Sequence, residues 1–136
     1  MNDIGIGRLA EAAGVKIPTI RFYEQIGLLP KPTRSAGKQR RYSQQAITRL
    51  RFIRHARNLG FDVEDIRHLL KLAEAPDAPC KTVDGIARHQ VARIDAKMKQ
   101  LRAMRRELMT VITGCRAERI RDCRILESLS EPSVEK

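Results

Sequence analysis

No stretch of this 136-residue chain reaches the run of about 18 apolar residues needed to cross a membrane as a helix. Its start, Met1-Asn2-Asp3-Ile4-Gly5, has neither a charged n-region nor an apolar h-region. That argues against a secretory signal and for a cytoplasmic protein. Cysteine is scarce and odd in number, with only Cys80, Cys115 and Cys123. Three thiols in a reducing compartment make a poor disulfide framework and point instead to metal binding or redox sensing. Internal repeats and low-complexity segments are absent. No nucleophile motif surrounds Cys115 or Cys123, and little chain remains to wall a pocket, so the reading is of a protein that is not an enzyme. Acidic residues are outnumbered 16 to 27 by Lys and Arg, leaving a net charge of +11. A surplus of that size points to a polyanionic partner, most simply nucleic acid.

Between Cys80 and Cys115, apolar residues recur at Ala87, Val91, Ile94, Met98, Leu101, Leu108 and Ile112, in steps of four and three. Arg105 is the one interruption. This is a heptad stripe, the mark of a coiled coil. The spacing predicts a helix of roughly 45 Å at about 1.5 Å per residue. Such a stripe is not stable alone in water, so a partner helix is expected. One thiol sits at the start of the helix and two lie just past its end, too far apart to meet within one chain. In an antiparallel homodimer the start of one helix lies beside the end of the other, and three thiols meet at each end.

The N-terminal part divides into short helices. Residues 6–15 form a first helix stopped at Gly14, with Leu9, Ala10 and Ala13 on one face. Pro18 to Ile26 forms a second, opened by a tolerated first-turn proline and ended by Gly27. The pair is a helix-turn-helix candidate whose second helix enters the major groove, with Thr19, Arg21 and Tyr23 as its polar residues. Leu29-Pro30-Lys31-Pro32 breaks the helix. Arg34, Lys38, Arg40, Arg41 and Tyr42 then surround a Gly-containing turn, which reads as a wing offering guanidinium and hydroxyl groups to phosphate. Ser43 N-caps a third helix reaching Asn58, with Ile47, Leu50, Ile53 and Ala56-Leu59 inward and Arg49, Arg51, Arg54 and Arg57 on the rest. Asp62 N-caps a fourth, Val63 to Ala73, in a capping-box-like pairing with Asp65. Residues 130–136 read as a polar, frayed tail.

Leu9-Ala10…Gly14-Val15, Thr19-Ile20-Arg21-Phe22-Tyr23-Glu24…Gly27-Leu28, Arg40-Arg41-Tyr42 and Arg57-Asn58-Leu59-Gly60-Phe61 resemble the MerR family of metal-responsive transcription regulators. The long helix followed by Cys115…Cys123-Arg124-Ile125-Leu126 is similar to its metal-sensing branch. The resemblance implies a mainly α fold. A winged helix-turn-helix domain (residues 1–76) would lead into an antiparallel coiled-coil dimerisation helix (80–114) and then a metal-binding loop and tail (115–136). It implies DNA contacts from Arg21 and Tyr23 on the recognition helix, from Arg40, Arg41 and Tyr42 on the wing, and from Arg54 or Arg57 on the third helix. The family usually carries Gly-Tyr where this chain has Lys38-Gln39, so a family tyrosine is missing at Gln39.

Three thiolates suit Zn(II), Cd(II), Pb(II) or Hg(II). In the resembling family, divalent sensors have cysteine where Cys80 stands, whereas copper(I) sensors have serine and use two cysteines. The spacing of Cys115 to Cys123 looks like the copper-sensor loop, and the presence of Cys80 outweighs it. Asp122 reads as a solvated acid, and His55, His68 and His89 as surface or packed residues. The resemblance further implies activation of metal efflux or detoxification genes, by distorting promoter DNA for RNA polymerase. A copper(I) sensor and a thiol redox-sensing regulator are the alternatives.

Overall fold

The computed structural model describes residues 3–34 and 40–132. Two compact units divide the chain, Met1–Ala87 and Arg88–Lys136.

The first unit opens with helix α1 (Ile6–Ala13) and helix α2 (Ile17–Gln25). Gly14 adopts a left-handed φ of 68° and its N–H returns to the carbonyls of Ala10 and Glu11. That closes α1 and turns the chain sharply into α2, a conformation in which an L side chain is strained. Strands β1 (Thr33–Arg34) and β2 (Arg40–Arg41) pair antiparallel, Thr33 opposite Arg41 and Arg34 opposite Arg40. A single antiparallel bridge then ties Tyr42 to Ile4, with hydrogen bonds of 2.9 and 2.8 Å, so the wing base is fastened to the segment before α1. Helices α3 (Gln44–Asn58) and α4 (Val63–Ala73) follow. Ser43 holds the N-cap position of α3 without a side-chain cap bond, whereas Asp62 accepts from the Asp65 N–H at 2.8 Å, as its N-cap role requires.

One apolar core unites these elements. Leu9, Ile20, Leu28, Leu29, Leu50, Ile53 and Ile66 are its fully buried side chains. Each helix contributes at i, i+3 or i+4 spacing, so one stripe of each faces in. The expected inward set on α3 is present as Ile47, Leu50, Ile53 and Ala56. Leu59 is the exception: it is the C-cap residue, beyond the last helical turn, and is 52% exposed.

Helix α5 runs unbroken from Cys80 to Gly114, 35 residues. At about 1.5 Å per residue that is about 52 Å. In the second unit α5 is followed by a single 3-10 turn (Ile120–Asp122) and helix α6 (Arg124–Ser130). Ser130, expected as the first residue of a frayed tail, is instead the last residue of α6, its hydroxyl donating to the Leu126 carbonyl; residues 133–136 lie outside the described residues. Along the heptad stripe Val91, Ile94, Met98, Leu101, Leu108 and Ile112 are 39–61% exposed. No helix among the described residues is long and apolar enough to cross a membrane.

Candidate nucleic-acid interface and thiol loop

Helix α2 presents Pro18, Arg21, Phe22 and Gln25 to solvent and turns Ile20, Tyr23 and Glu24 inward. Arg21 is thus where a base- or phosphate-reading side chain should be, and Thr19 is half-buried beside it. Tyr23 is not on that face. At 7% exposure its ring belongs to the core, because it lies three residues after Ile20 on the inward stripe. Phe22, one residue back, is 49% exposed instead.

Tyr42 is likewise a core residue, 2% exposed, and its hydroxyl donates to Glu24 Oε2 at 2.7 Å. The expected hydroxyl-to-phosphate contact gives way here to an internal hydrogen bond, because a phenol buried beside a carboxylate finds its partner there. This bond joins the end of the wing to the recognition helix. Glu24, not singled out from the sequence, is the residue that makes it. Of the remaining wing residues, Arg41 is half-buried, while Arg34 and Arg40 take part in the strand pairing. Lys38 and Gln39 lie outside the described residues.

The arginines of α3 and α4 divide their work. Arg51 Nη2 donates to the Ala12 carbonyl at 3.0 Å, and Arg49 Nε to the Leu28 carbonyl at 2.6 Å. Arg67 Nη2 donates to the Ile26 carbonyl at 2.9 Å, and Arg57 Nη1 to the Phe61 carbonyl at 3.0 Å. Each reaches carbonyls left unsatisfied at or just beyond a helix C-terminus, where a cation is favoured. Arg49 also meets Glu74 at 3.1 Å. Arg54 lies over Gly14, close enough that a Cβ there would fall 2.5 Å from Nη1. Arg49, Arg51 and Arg67 tie α3 and α4 to the helix-turn-helix segment, and Arg57 closes the turn after α3.

The thiols are placed differently. Cys115 and Cys123 are both half-buried in the second unit. The backbone N–H of Ala117 points at the Cys115 sulfur, as do those of Arg124 and Ile125, and the Cys123 thiol lies within hydrogen-bonding reach. These donors favour negative charge on the sulfur, the Ala117 N–H most of all, and hold the Cys115 thiol below its ordinary value against the opposing effect of partial burial. The 3-10 turn and the start of α6 are what bring these amides round. Two adjacent sulfurs, one in a nest of amide donors, fit a soft ion. Asp122 is exposed and pairs with Arg121 at 3.8 Å. Cys80 is exposed at the first residue of α5. Among the described residues no three His, Cys, Asp or Glu side chains converge on one point. His55, His68 and His89 are exposed helical residues.

A helix-turn-helix with a strand-paired wing, an exposed arginine on the second helix and a core that locks the two together define a winged-helix DNA-binding regulator. The chain belongs to the MerR family of such regulators. The family profile described as "MerR HTH family regulatory protein" matches residues 5–73, and that described as "MerR, DNA binding" matches residues 47–111. Among its relatives, the HTH-type transcriptional regulator HmrR of Rhizobium leguminosarum bv. viciae is 38% identical, over 94% of this chain and 98% of that protein. The mercuric resistance operon regulatory protein of Serratia marcescens is 37% identical, over 86% and 80%. Among solved structures, the transcription regulator PbrR691 from Ralstonia metallidurans CH34 in complex with lead(II) superposes with a TM-score of 0.79 at 41% identity, covering 93% of this chain and 99% of that one. The family is one of DNA-binding transcription regulators and not of enzymes.

Proposed function

We propose that this protein is a cytoplasmic, metal-responsive activator of metal efflux or detoxification genes, working as an antiparallel homodimer on promoter DNA. The observation that carries the reading is the pairing of Cys115 with Cys123 in a loop whose amides stabilise thiolate. The relatives named for mercuric resistance and the similar regulator in complex with lead(II) support a soft divalent ion, the class of Zn(II), Cd(II), Pb(II) and Hg(II). Cys115 and Cys123 supply two thiolates, and Cys80 of the second copy supplies the third. An ion bound there would tie the loop of one copy to the helix start of the other.

Arg21 and Thr19 on α2 read or position the DNA, and the wing cations Arg34, Lys38, Arg40 and Arg41 hold its backbone. Arg54 and Arg57 add positive charge from α3. Bending and untwisting a promoter costs several kcal/mol, so the bound ion must favour the DNA-distorting state by a comparable amount. RNA polymerase would then engage the realigned promoter elements.

One observation favours a copper(I) reading. The two thiols meet within one chain and could hold a two-coordinate ion without Cys80. Anaerobic titration of the reduced dimer with Cd(II), Pb(II) and Cu(I), with and without Cys80→Ser, separates the two. Binding of Cd(II) or Pb(II) at one ion per dimer end, weakened by Cys80→Ser, supports the divalent sensor. Tight Cu(I) binding indifferent to Cys80→Ser establishes the copper reading in its place. Loss of DNA binding in Cys115→Ser or Cys123→Ser would overturn the separation of sensing from DNA recognition.

A further inference from the structure

The exposed stripe of α5 carries information about its own register. If two copies pair antiparallel, only some alignments lay stripe upon stripe. In one of them all eight positions match, counting Arg105: Ala87 faces Ile112, Val91 faces Leu108, Ile94 faces Arg105 and Met98 faces Leu101. Arg105 then meets an aliphatic residue of the other copy whose immediate neighbour is Asp95. In the same alignment the flanking position of Asp95 lies across from Arg102 of the other copy. Asp95 is the only acid on α5 between Asp84 and Glu107.

Other alignments lack this match. A slide of one heptad in one direction sets Arg105 opposite Ala87, beside Arg88. A slide in the other sets it opposite Leu101, beside Arg102. A parallel in-register pair sets Arg105 against its own copy. Each places cation against cation where the seam excludes water, and like charges so placed are strongly unfavourable. Within the chain, Asp95, Arg102 and Arg105 are exposed, and among the described residues none of them forms an ion pair. Their charges are therefore available to a second copy.

We infer that Asp95 is the register lock of the dimer, the counter-charge for Arg105 and Arg102 of the other copy, selecting the one antiparallel alignment that matches the whole stripe. The inference rests on the dimer proposed above and specifies its alignment. That alignment sets Gly114, the last residue of one α5, opposite Gly85 of the other. Cys80 then lies beyond the helix end, at the level of the loop from Cys115 to Cys123. Arg105, the single break in the apolar pattern, is thereby the residue that orients the pair and delivers the third thiol. A lone polar residue in a coiled-coil seam commonly has this role, giving up stability for one register.

The test is sedimentation equilibrium of the full, reduced chain as wild type, Asp95→Ala, Arg105→Leu and the double variant. Asp95→Ala should raise the dimer dissociation constant about tenfold or more, because it leaves two cations uncompensated at the interface. Arg105→Leu should restore affinity in the Asp95→Ala background, and its effect there should exceed its effect in wild type by about fivefold or more. An Asp95→Ala dimer within about twofold of wild type overturns the lock, as does an Arg105→Leu effect of equal size in both backgrounds. A wild-type chain that stays monomeric overturns the dimer itself, so the two failures are distinguishable.

Discussion

The two units of this chain treat apolar side chains in opposite ways. Up to Ala87, the leucines and isoleucines of four short helices converge, and seven of the largest side chains are fully buried. From Arg88 onward, residues of the same type stand 39–61% exposed along one stripe of α5. What differs is connectivity. Tight turns at Gly14 and Gly27 fold short helices back on one another, whereas an unbroken helix can only offer its stripe to another molecule. The first unit is therefore stabilised within the chain, and the stripe of the second is left for the second copy proposed above.

Core truncation should break that contrast most sharply. Leu50→Ala removes a fully buried side chain and should cost about 2–5 kcal/mol, independent of protein concentration. Leu101→Ala removes one that is 61% exposed in the chain, so its cost should appear only as weaker association. Urea unfolding at two widely separated concentrations distinguishes them. A concentration-independent loss of similar size for both variants would mean that the stripe is satisfied within the chain.

Next in size is Arg21→Ala. Removing the exposed arginine of the recognition helix should weaken operator binding by about 1–3 kcal/mol, with metal affinity unchanged. Gel-shift titration at fixed salt, beside a metal titration, reads both. An equal loss in both assays would mean that α2 and the thiol loop are not separable.

Tyr42→Phe sharpens the comparison inside the first unit. Losing the 2.7 Å bond to Glu24 should cost about 0.5–1.5 kcal/mol in thermal or urea unfolding. Operator affinity should also fall, because the wing is no longer pinned to α2 through that contact. Unchanged stability and unchanged affinity would show that the bridge between Ile4 and Tyr42 alone positions the wing.

The elements whose making is local were legible. Gly14 and Gly27 stop helices where the sequence says they should, Asp62 caps α4 at the expected residue, and the heptad stripe marks α5. Less legible was everything decided by groups far apart in the chain. Arg49 and Arg51 read as surface cations, yet they reach carbonyls 21 and 39 residues away, and Arg67, not singled out from the sequence, reaches one 41 residues away. Tyr42 read as a DNA contact because a hydroxyl can serve phosphate, and Tyr23 because the family resemblance implies it. The burial of Tyr42 depends on how the wing meets α2, which no helix period specifies, whereas the spacing of Tyr23 from Ile20 was a signal already present in the sequence. Helix α6 went unread because seven residues are too few to establish a period. The thiol pair followed from spacing alone, but the amides that surround Cys115 come from a turn and a helix start that only the folded loop defines.

Those amides lead to the smallest expected effect, one confined to the second unit. A thiol whose value is lowered keeps its thiolate to lower pH than an ordinary cysteine. The rate of Cys115 alkylation in the reduced, metal-free protein should therefore half-rise at a pH below that of a simple thiol. The sign for folding is the same as for a depressed carboxylate. The thiolate's contribution is fully present above the ordinary thiol value and fades as pH falls through the lowered one. Since Cys115 is partly open to water, unfolding should barely register this, and the chemistry of the sulfur is the better probe. Cys123→Ala removes only one of the stabilising neighbours and should raise the midpoint slightly. Unfolding in denaturant removes the amides of Ala117, Arg124 and Ile125 as well and should return it to the ordinary value. Mass-resolved alkylation across pH reads both shifts. A midpoint that is ordinary in the native protein and unmoved by denaturant would mean that the loop does not hold its amides on the sulfur, and that thiolate character at Cys115 arises only when an ion is bound.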